Sequence, residues 1–373
     1  MRVGILTYPM LFQRDGNLRS AVRALLAAFA RRRPTALFGA VEASLVDPLR
    51  ENLDDYDLIH VVGAAHGNHA TVEAAAACGV PVVLTPLIAG SWRRADGVRA
   101  RAADRLLAHL LGRELQTSYA QIGQALRTAT LVVAQSSRER RAIIDAFLTP
   151  PARVRLVAHG VDQAWFDAEP TVFRQRSAIR GEFALMAGPL SPRHDQLGVA
   201  RDLQALALPL VVVGSALQRD ARYVQQLRAL PAVSVLGELH GQPRLLASVF
   251  AAASMLIMPV HGEGADAGAL AALAAGTAVL ADPLAAEDLP DDDYAVKRRR
   301  ARDWRGRRSA IVGLLEAPPL RERVRALVHA HGWDHIATAL LHCYADAIAL
   351  HGPTSNVFTG AAGGGKLLAR APR

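Results

Sequence analysis

Cysteine and lysine are both scarce in this 373-residue chain. The two cysteines, Cys78 and Cys343, lie far apart, and no metal-ligand spacing surrounds them. That excludes a disulfide framework or a cysteine-built zinc site and points to free thiols in a reducing compartment. The apolar run in the opening Met-Arg-Val-Gly-Ile-Leu-Thr-Tyr is too short for a signal peptide. No apolar stretch reaches the roughly 18–20 residues that a membrane span needs. A cytoplasmic protein is expected, with peripheral contact at the inner face of a membrane left open. Aromatic residues make up only 5% of the chain, and no nucleic-acid-binding module is visible, which argues against a nucleic-acid partner.

What is present is apolar and arginine-rich. Hydrophobic residues account for 51% and charged ones for 21%, enough for substantial cores. The length suits two domains of roughly 150–200 residues. The net charge of +9 comes almost wholly from arginine, since only Lys297 and Lys366 are lysines. Basic clusters stand at Arg31–Arg33, Arg93–Arg105 and Lys297–Arg308. Such surfaces attract lipid head groups or nucleotide phosphates, although arginine can equally serve as an ordinary solvated residue.

Strands and helices alternate along the chain. Arg2–Thr7, Leu58–Gly63, Pro81–Thr85, Leu131–Gln135 and Val154–Ala158 read as strands, with helices near 18–30, 71–78, 99–129 and 137–147. A second series follows at Phe183–Ala187, Leu208–Gly214, Val233–Leu236, Met255–Val260 and Ala278–Ala281. These runs lack alternation, as expected of parallel strands covered on both faces. The expected class is α/β, with two Rossmann-like doubly wound domains facing across a cleft. Residues 1–170 form the first and 171–335 the second. A helix at 336–350 packs back towards the first, and 351–373 is a flexible basic tail.

Ligands of such folds sit at the carboxyl ends of strands. Several residues fall there. His60 and His66, with His69, follow the strand at Leu58 and could position or deprotonate an acceptor hydroxyl. They could equally be polar loop residues, and without a nearby carboxylate or cysteine pattern they do not suggest metal. Gly214-Ser215 ends a strand of the second domain. The densest signal is Pro259-Val-His-Gly-Glu-Gly-Ala-Asp-Ala-Gly268, a Gly-rich turn leading into the Ala/Leu helix that closes at Gly276. A helix N-terminus there offers free N–H groups to phosphate.

That stretch resembles the donor-binding signature of the retaining glycosyltransferases of family 4. The likeness extends from residue 1 to about 350 through Asp57-Leu-Ile-His-Val, Leu131-Val-Val-Ala-Gln-Ser-Ser-Arg-Glu-Arg, Arg155-Leu-Val-Ala-His-Gly-Val-Asp-Gln-Ala-Trp-Phe166 and Trp333-Asp-His-Ile-Ala. It implies the GT-B fold and transfer of a sugar from a nucleotide-activated donor to a cell-envelope glycan, lipid or small molecule. No cofactor or metal is implied, with the nucleotide sugar as co-substrate. The acceptor would lie in the N-terminal domain and the nucleotide in the C-terminal one. Glu263 takes the place of the family's first glutamate, beside the donor sugar hydroxyls. Gly264, Asp266 and Gly268 line the same turn, and Gly16-Asn17 stands where a Gly-rich loop approaches donor phosphate. Gly188-Pro-Leu-Ser-Pro-Arg-His194 matches a phosphate-binding motif, which brings Gly188, Arg193 and His194 to the donor.

Three positions depart from the pattern. Pro189 replaces an arginine, His194 a lysine, and Ala271 the second glutamate, which holds the ribose. Together they support an alternative: a catalytically degenerate homologue serving as a binding or scaffold subunit.

Overall fold

The computed structural model describes residues 1–8, 11, 17–65, 67–111, 117–239, 241–258, 265–300 and 303–352. Two six-stranded sheets organise them, and all strand pairs within both are parallel. The first contains β1 (Arg2–Leu6), β2 (Glu42–Leu45), β3 (Leu58–Val62), β4 (Val82–Thr85), β5 (Leu131–Ala134) and β6 (Val154–Leu156), in the order β2-β1-β3-β4-β5-β6. The second contains β7 (Ala184–Ala187), β8 (Leu210–Val213), β9 (Val233–Gly237), β10 (Met255–Met258), β11 (Ala278–Ala281) and β12 (Val296–Arg298), in the order β12-β11-β10-β7-β8-β9. Every residue of β3, β4, β5, β8, β10 and β11 is buried. Helices therefore cover both faces, which is why these strands are apolar throughout rather than alternating.

Chain order reverses once in each sheet. In the first, the chain leaves β1 for β2 on one side and returns to β3 on the other; in the second, β7 has β8 on one side and β10 on the other. These reversals open crevices at the carboxyl ends of β1 and β3 and of β7 and β10.

The helices of the first half are α1 (Asn17–Arg31), α2 (Asn68–Ala77), α3 (Arg94–Leu111), α4 (Ser118–Thr128) and α5 (Ser137–Asp145). The expected helical region at 99–129 is thus two helices. Thr117 divides them by accepting the Ala120 N–H as an N-cap. The short α6 (Gln163–Phe166) and α7 (Thr171–Arg176) connect the sheets, and α8 (Gln196–Gln204), α9 (Ala221–Arg228), α10 (Pro243–Ala252), α11 (Ala265–Ala274), α12 (Trp304–Glu316) and α13 (Arg321–Ala326) belong to the second half.

The last helix, α14 (Trp333–His351), packs on the first sheet. Its Ile336, Leu340, Leu341 and Tyr344 join Val22, Leu25 and Phe29 of α1 in one core, with the Phe29 and Tyr344 rings 6.0 Å apart. Arg31–Asp334 at 2.8 Å and Arg155–Asp346 at 3.0 Å fasten its rim. The two crossings between the halves run side by side: Val161 and Gly332 form a parallel bridge, and the Val161 N–H donates to the His331 carbonyl at 2.8 Å. Trp333 lies over Gly160 so closely that a Cβ there would overlap its ring. The tail expected at 351–373 lies, beyond Gly352, outside the described residues.

Candidate functional site

The loops after β7 and β8 are laced together by backbone bonds. Gly188 N–H donates to Val213 O at 2.9 Å, Leu190 N–H to Ser215 O at 2.8 Å, and Gly214 N–H to Gly237 O at 2.9 Å. Gly214 has φ +150°, and a Cβ there would overlap the carbonyl oxygen of Gly188, so this approach requires glycine. A Cβ on Gly188 or Gly268 would instead meet open space. The chain then turns through Pro192–His194, and Gln196 donates from its side-chain amide to the Pro189 carbonyl at 2.9 Å. Pro189, lacking an arginine's charge, still supplies an acceptor that pins the turn.

Arg193 and His194 share that turn, at the carboxyl end of β7. Arg193 is exposed and makes no hydrogen bond or ion pair among the described residues, leaving its guanidinium available to an anion. His194 Nδ1 is 2.9 Å from Ser191 Oγ. Burial first, and then the Arg193 charge, lower its pKa, so it is a neutral imidazole at pH 7. A permanent cation in place of the family's lysine is therefore not what His194 provides before an anion arrives.

β10 leads to the Gly-rich turn. Glu263 and Gly264 lie outside the described residues, as do Gly16 and His66; Asn17 and Asp266 are placed by backbone, at the first residue of α1 and the second of α11. Gly268 is half-buried in α11, whose following residues Ala269–Ala275 are all buried. Ala271 is among these at 7% exposure, so the second carboxylate of the family pattern has no counterpart.

The first sheet brings together the starts of α1 and α2 beside β1 and β3. Two polar atoms here escaped the sequence reading or gain weight from the structure. Thr7 Oγ1, just past β1, and His69 Nδ1, in the first turn of α2, are both buried without a hydrogen-bond partner among the described residues. Such atoms carry a desolvation penalty that a ligand or water relieves. The only sequence signal for Thr7 was its place after an apolar run.

His60 needs correction as an acceptor-site base. It sits in the middle of β3, not beyond it, and is 2% exposed. Its Nδ1 lies 2.7 Å from the Tyr344 hydroxyl and its Nε2 2.8 Å from Thr85 Oγ1. Burial pushes its pKa down to about 4. Both ring nitrogens are occupied and the ring is closed to solvent, so as placed it ties α14 to the sheet and borders a cavity of about 40 Å³. That space, lined also by Leu25, Val133, Gln135 and Trp333, holds little more than a water.

Helix α5, just past β5, meets the loop past β11 between the halves. Ser137 N–H donates to Asp288 at 2.8 Å, and Arg141 forms a bidentate pair with Glu287, both contacts 2.6 Å. The hydrogen bond holds the Arg141 pKa up and the Glu287 pKa down. Carboxyl ends of both sheets thus face each other. On the first side, Glu139 fixes this edge: the Ser136 hydroxyl caps its N–H at 3.1 Å, while its buried carboxylate accepts from Ile88 N–H and Gln135 N–H, each at 2.7 Å. Among the described residues, no group of three or more His, Cys, Asp or Glu could hold a metal ion. No helix among them is long and apolar enough to cross a membrane.

Residues 193–316 match the family described as Glycosyl transferases group 1. A D-inositol 3-phosphate glycosyltransferase from Nocardia farcinica is 27% identical over 265 residues, covering 64% of this chain and 57% of its own length. The enzyme of that name from Rhodococcus erythropolis is 25% identical over 339 residues, covering 84% and 73%. The chain thus spans a little over half the length of the Nocardia relative. Among solved structures, HepE of Anabaena, in complex with UDP, superposes with a TM-score of 0.60 at 16% identity, covering 94% of this chain and 97% of HepE. With its two facing parallel sheets, this chain has the GT-B fold, and its residues 193–316 are similar to the group 1 glycosyltransferases.

Proposed function

We propose that the chain transfers a sugar from a nucleotide-activated donor to a cell-envelope glycan, lipid or small-molecule acceptor, with residues 1–170 facing the acceptor and 171–335 the donor. The observation that carries this reading is the laced Gly188–Gly214 loop pair at the chain reversal of the second sheet, beside the start of α11. It leaves open space beside Gly188 and an exposed Arg193 where a diphosphate would lie, and Gly214 of the pair falls within the matched residues 193–316.

In transfer, the bond from the anomeric carbon to the phosphate oxygen breaks, and negative charge grows on the leaving diphosphate. Preorganised N–H groups and a nearby cation lower that barrier. Among the described residues of the turn Arg193 is the free cation, and His194 gains a proton or donates a hydrogen bond once the anion is present. Glu263 accepts from donor sugar hydroxyls and fixes the ring's orientation. With Ala271 in place of a carboxylate, the ribose is held less tightly, so a weak donor affinity is expected. Neither a cofactor nor a metal enters this scheme.

Because HepE was solved with UDP, uridine diphosphate sugars are the first donors to test, followed by guanosine and adenosine ones. Purified protein should release nucleoside diphosphate from one of them, and Glu263→Ala should cut that release at least about 100-fold with an unchanged melting temperature. No stabilisation by any nucleotide at millimolar concentration, together with no turnover, would overturn the reading.

A further inference from the structure

Helix α3 folds inward by one face only. Gly97 lies so close to Ala146 that a Cβ would overlap its carbonyl oxygen, and Arg101 donates to that carbonyl at 2.6 Å and to the Tyr119 hydroxyl at 2.7 Å. Asp104 on the same side accepts from the Thr117 hydroxyl. At 3.6 residues per turn, Val98, Ala102 and Leu106 form a stripe on the opposite side. All three are exposed, Val98 by 54% and Leu106 by 60%. Arg94 and Arg105 border this stripe on one side and Arg99 on the other, all exposed, with exposed Arg93 just ahead of the helix. Asp96, at 3.4 Å from Arg99, is the one acidic partner on this rim among the described residues.

An outward helical face in a water-soluble domain is normally polar. Aliphatic side chains in its centre, edged by arginines, have the form of a helix that lies in a lipid interface, apolar groups down and cations among the head groups. Nucleic acid or another polyanion would use the arginines and have no use for Val98 and Leu106. The placement also fits a surface acceptor. Residues 86–93, which lead into α3, are tied to the cleft edge by the Ile88 bond to Glu139, and Gly90 lies against Arg138 at the start of α5.

We propose that the outer face of α3 docks on an anionic lipid bilayer, holding the acceptor side of the cleft beside the membrane. The docking stands apart from the transfer reaction and needs no donor. Its test is co-sedimentation of the full chain with phosphatidylcholine vesicles, with and without phosphatidylglycerol. The wild type should bind the anionic vesicles and be released by salt. Arg94→Gln with Arg105→Gln should weaken that binding about 30-fold. Val98→Gln with Leu106→Gln should weaken it at least about tenfold. All four side chains are exposed, so melting temperatures should not change. Equal binding to both vesicle types would overturn the docking. So would an apolar-stripe variant that binds like the wild type, since only a general polyanion patch would then remain. Transfer activity is measured separately with a soluble acceptor, so either result leaves the other standing.

Discussion

The edges of the two sheets that face the cleft are built by different means. On the second sheet the edge is backbone: three N–H to carbonyl bonds lace the loops after β7, β8 and β9, and Gly214 makes the close approach possible. On the first sheet the edge is held by buried side chains. Glu139 clamps two backbone N–H groups there, and in the core behind the edge His60 joins Thr85 to Tyr344 of α14. A backbone cradle survives exchange of its side chains. The lacing of these loops therefore does not depend on the side chains at positions 189 and 194, where Pro189 and His194 depart from the pattern. The side-chain-built edge has no such tolerance, and its specificity can drift with every substitution.

The contrast breaks most sharply at Gly214. Gly214→Ala would drive a Cβ into the Gly188 carbonyl from a positive φ, at an expected cost of about 3 kcal/mol or more, read by denaturant unfolding. A variant as stable as the wild type would mean that the lacing is slack. By the same contrast, Pro189→Ala should cost much less, because Gln196 binds its carbonyl rather than its ring.

The first sheet should respond to acid instead. Folded His60 stays neutral down to about pH 4, whereas unfolded histidine takes up its proton near 6.5. Its contribution to stability is therefore complete above pH 6.5 and drains away as pH falls towards 4, by about 3 kcal/mol in all. Below that the slope due to this residue vanishes. His60→Gln should flatten this window, which a series of denaturant melts between pH 7 and 4 would reveal. An unchanged slope would place the titration elsewhere.

The smallest effect is expected where the two edges touch. Arg141 is 51% exposed and Glu287 34%, so solvent screens their pair to about 1 kcal/mol or less despite its bidentate geometry. A double-mutant cycle of Arg141→Ala and Glu287→Ala measures it. Coupling well beyond that would identify the pair as a principal clasp of the closed cleft.

What the sequence discloses follows from burial. β3, β4, β5, β8, β10 and β11 stand out because strands covered on both faces must be apolar throughout. The edge strands β2, Glu-Ala-Ser-Leu, and β12, Val-Lys-Arg, carry no such mark and were not foreseen. Gly214-Ser215 is legible as a strand end, and Gly188, Arg193 and His194 come only from the family resemblance; all five stand past neighbouring strands at one chain reversal. His60 was misread because an apolar run does not say whether a polar residue within it faces a cleft or a core. The Ser137–Asp288 contact joins residues 151 apart, and no local pattern can announce it.

The return of α14 also bears on how the chain folds as it is made. The first sheet's core needs Ile336, Leu340, Leu341 and Tyr344, which leave the ribosome only after all of β7 to β12. The domain that begins first is thus finished last. Until then, α1 presents Leu25 and Phe29 without their partners, and His60 waits for the Tyr344 hydroxyl. The second domain, whose strands and helices lie within one continuous stretch, can be complete while the first is still waiting for its final helix.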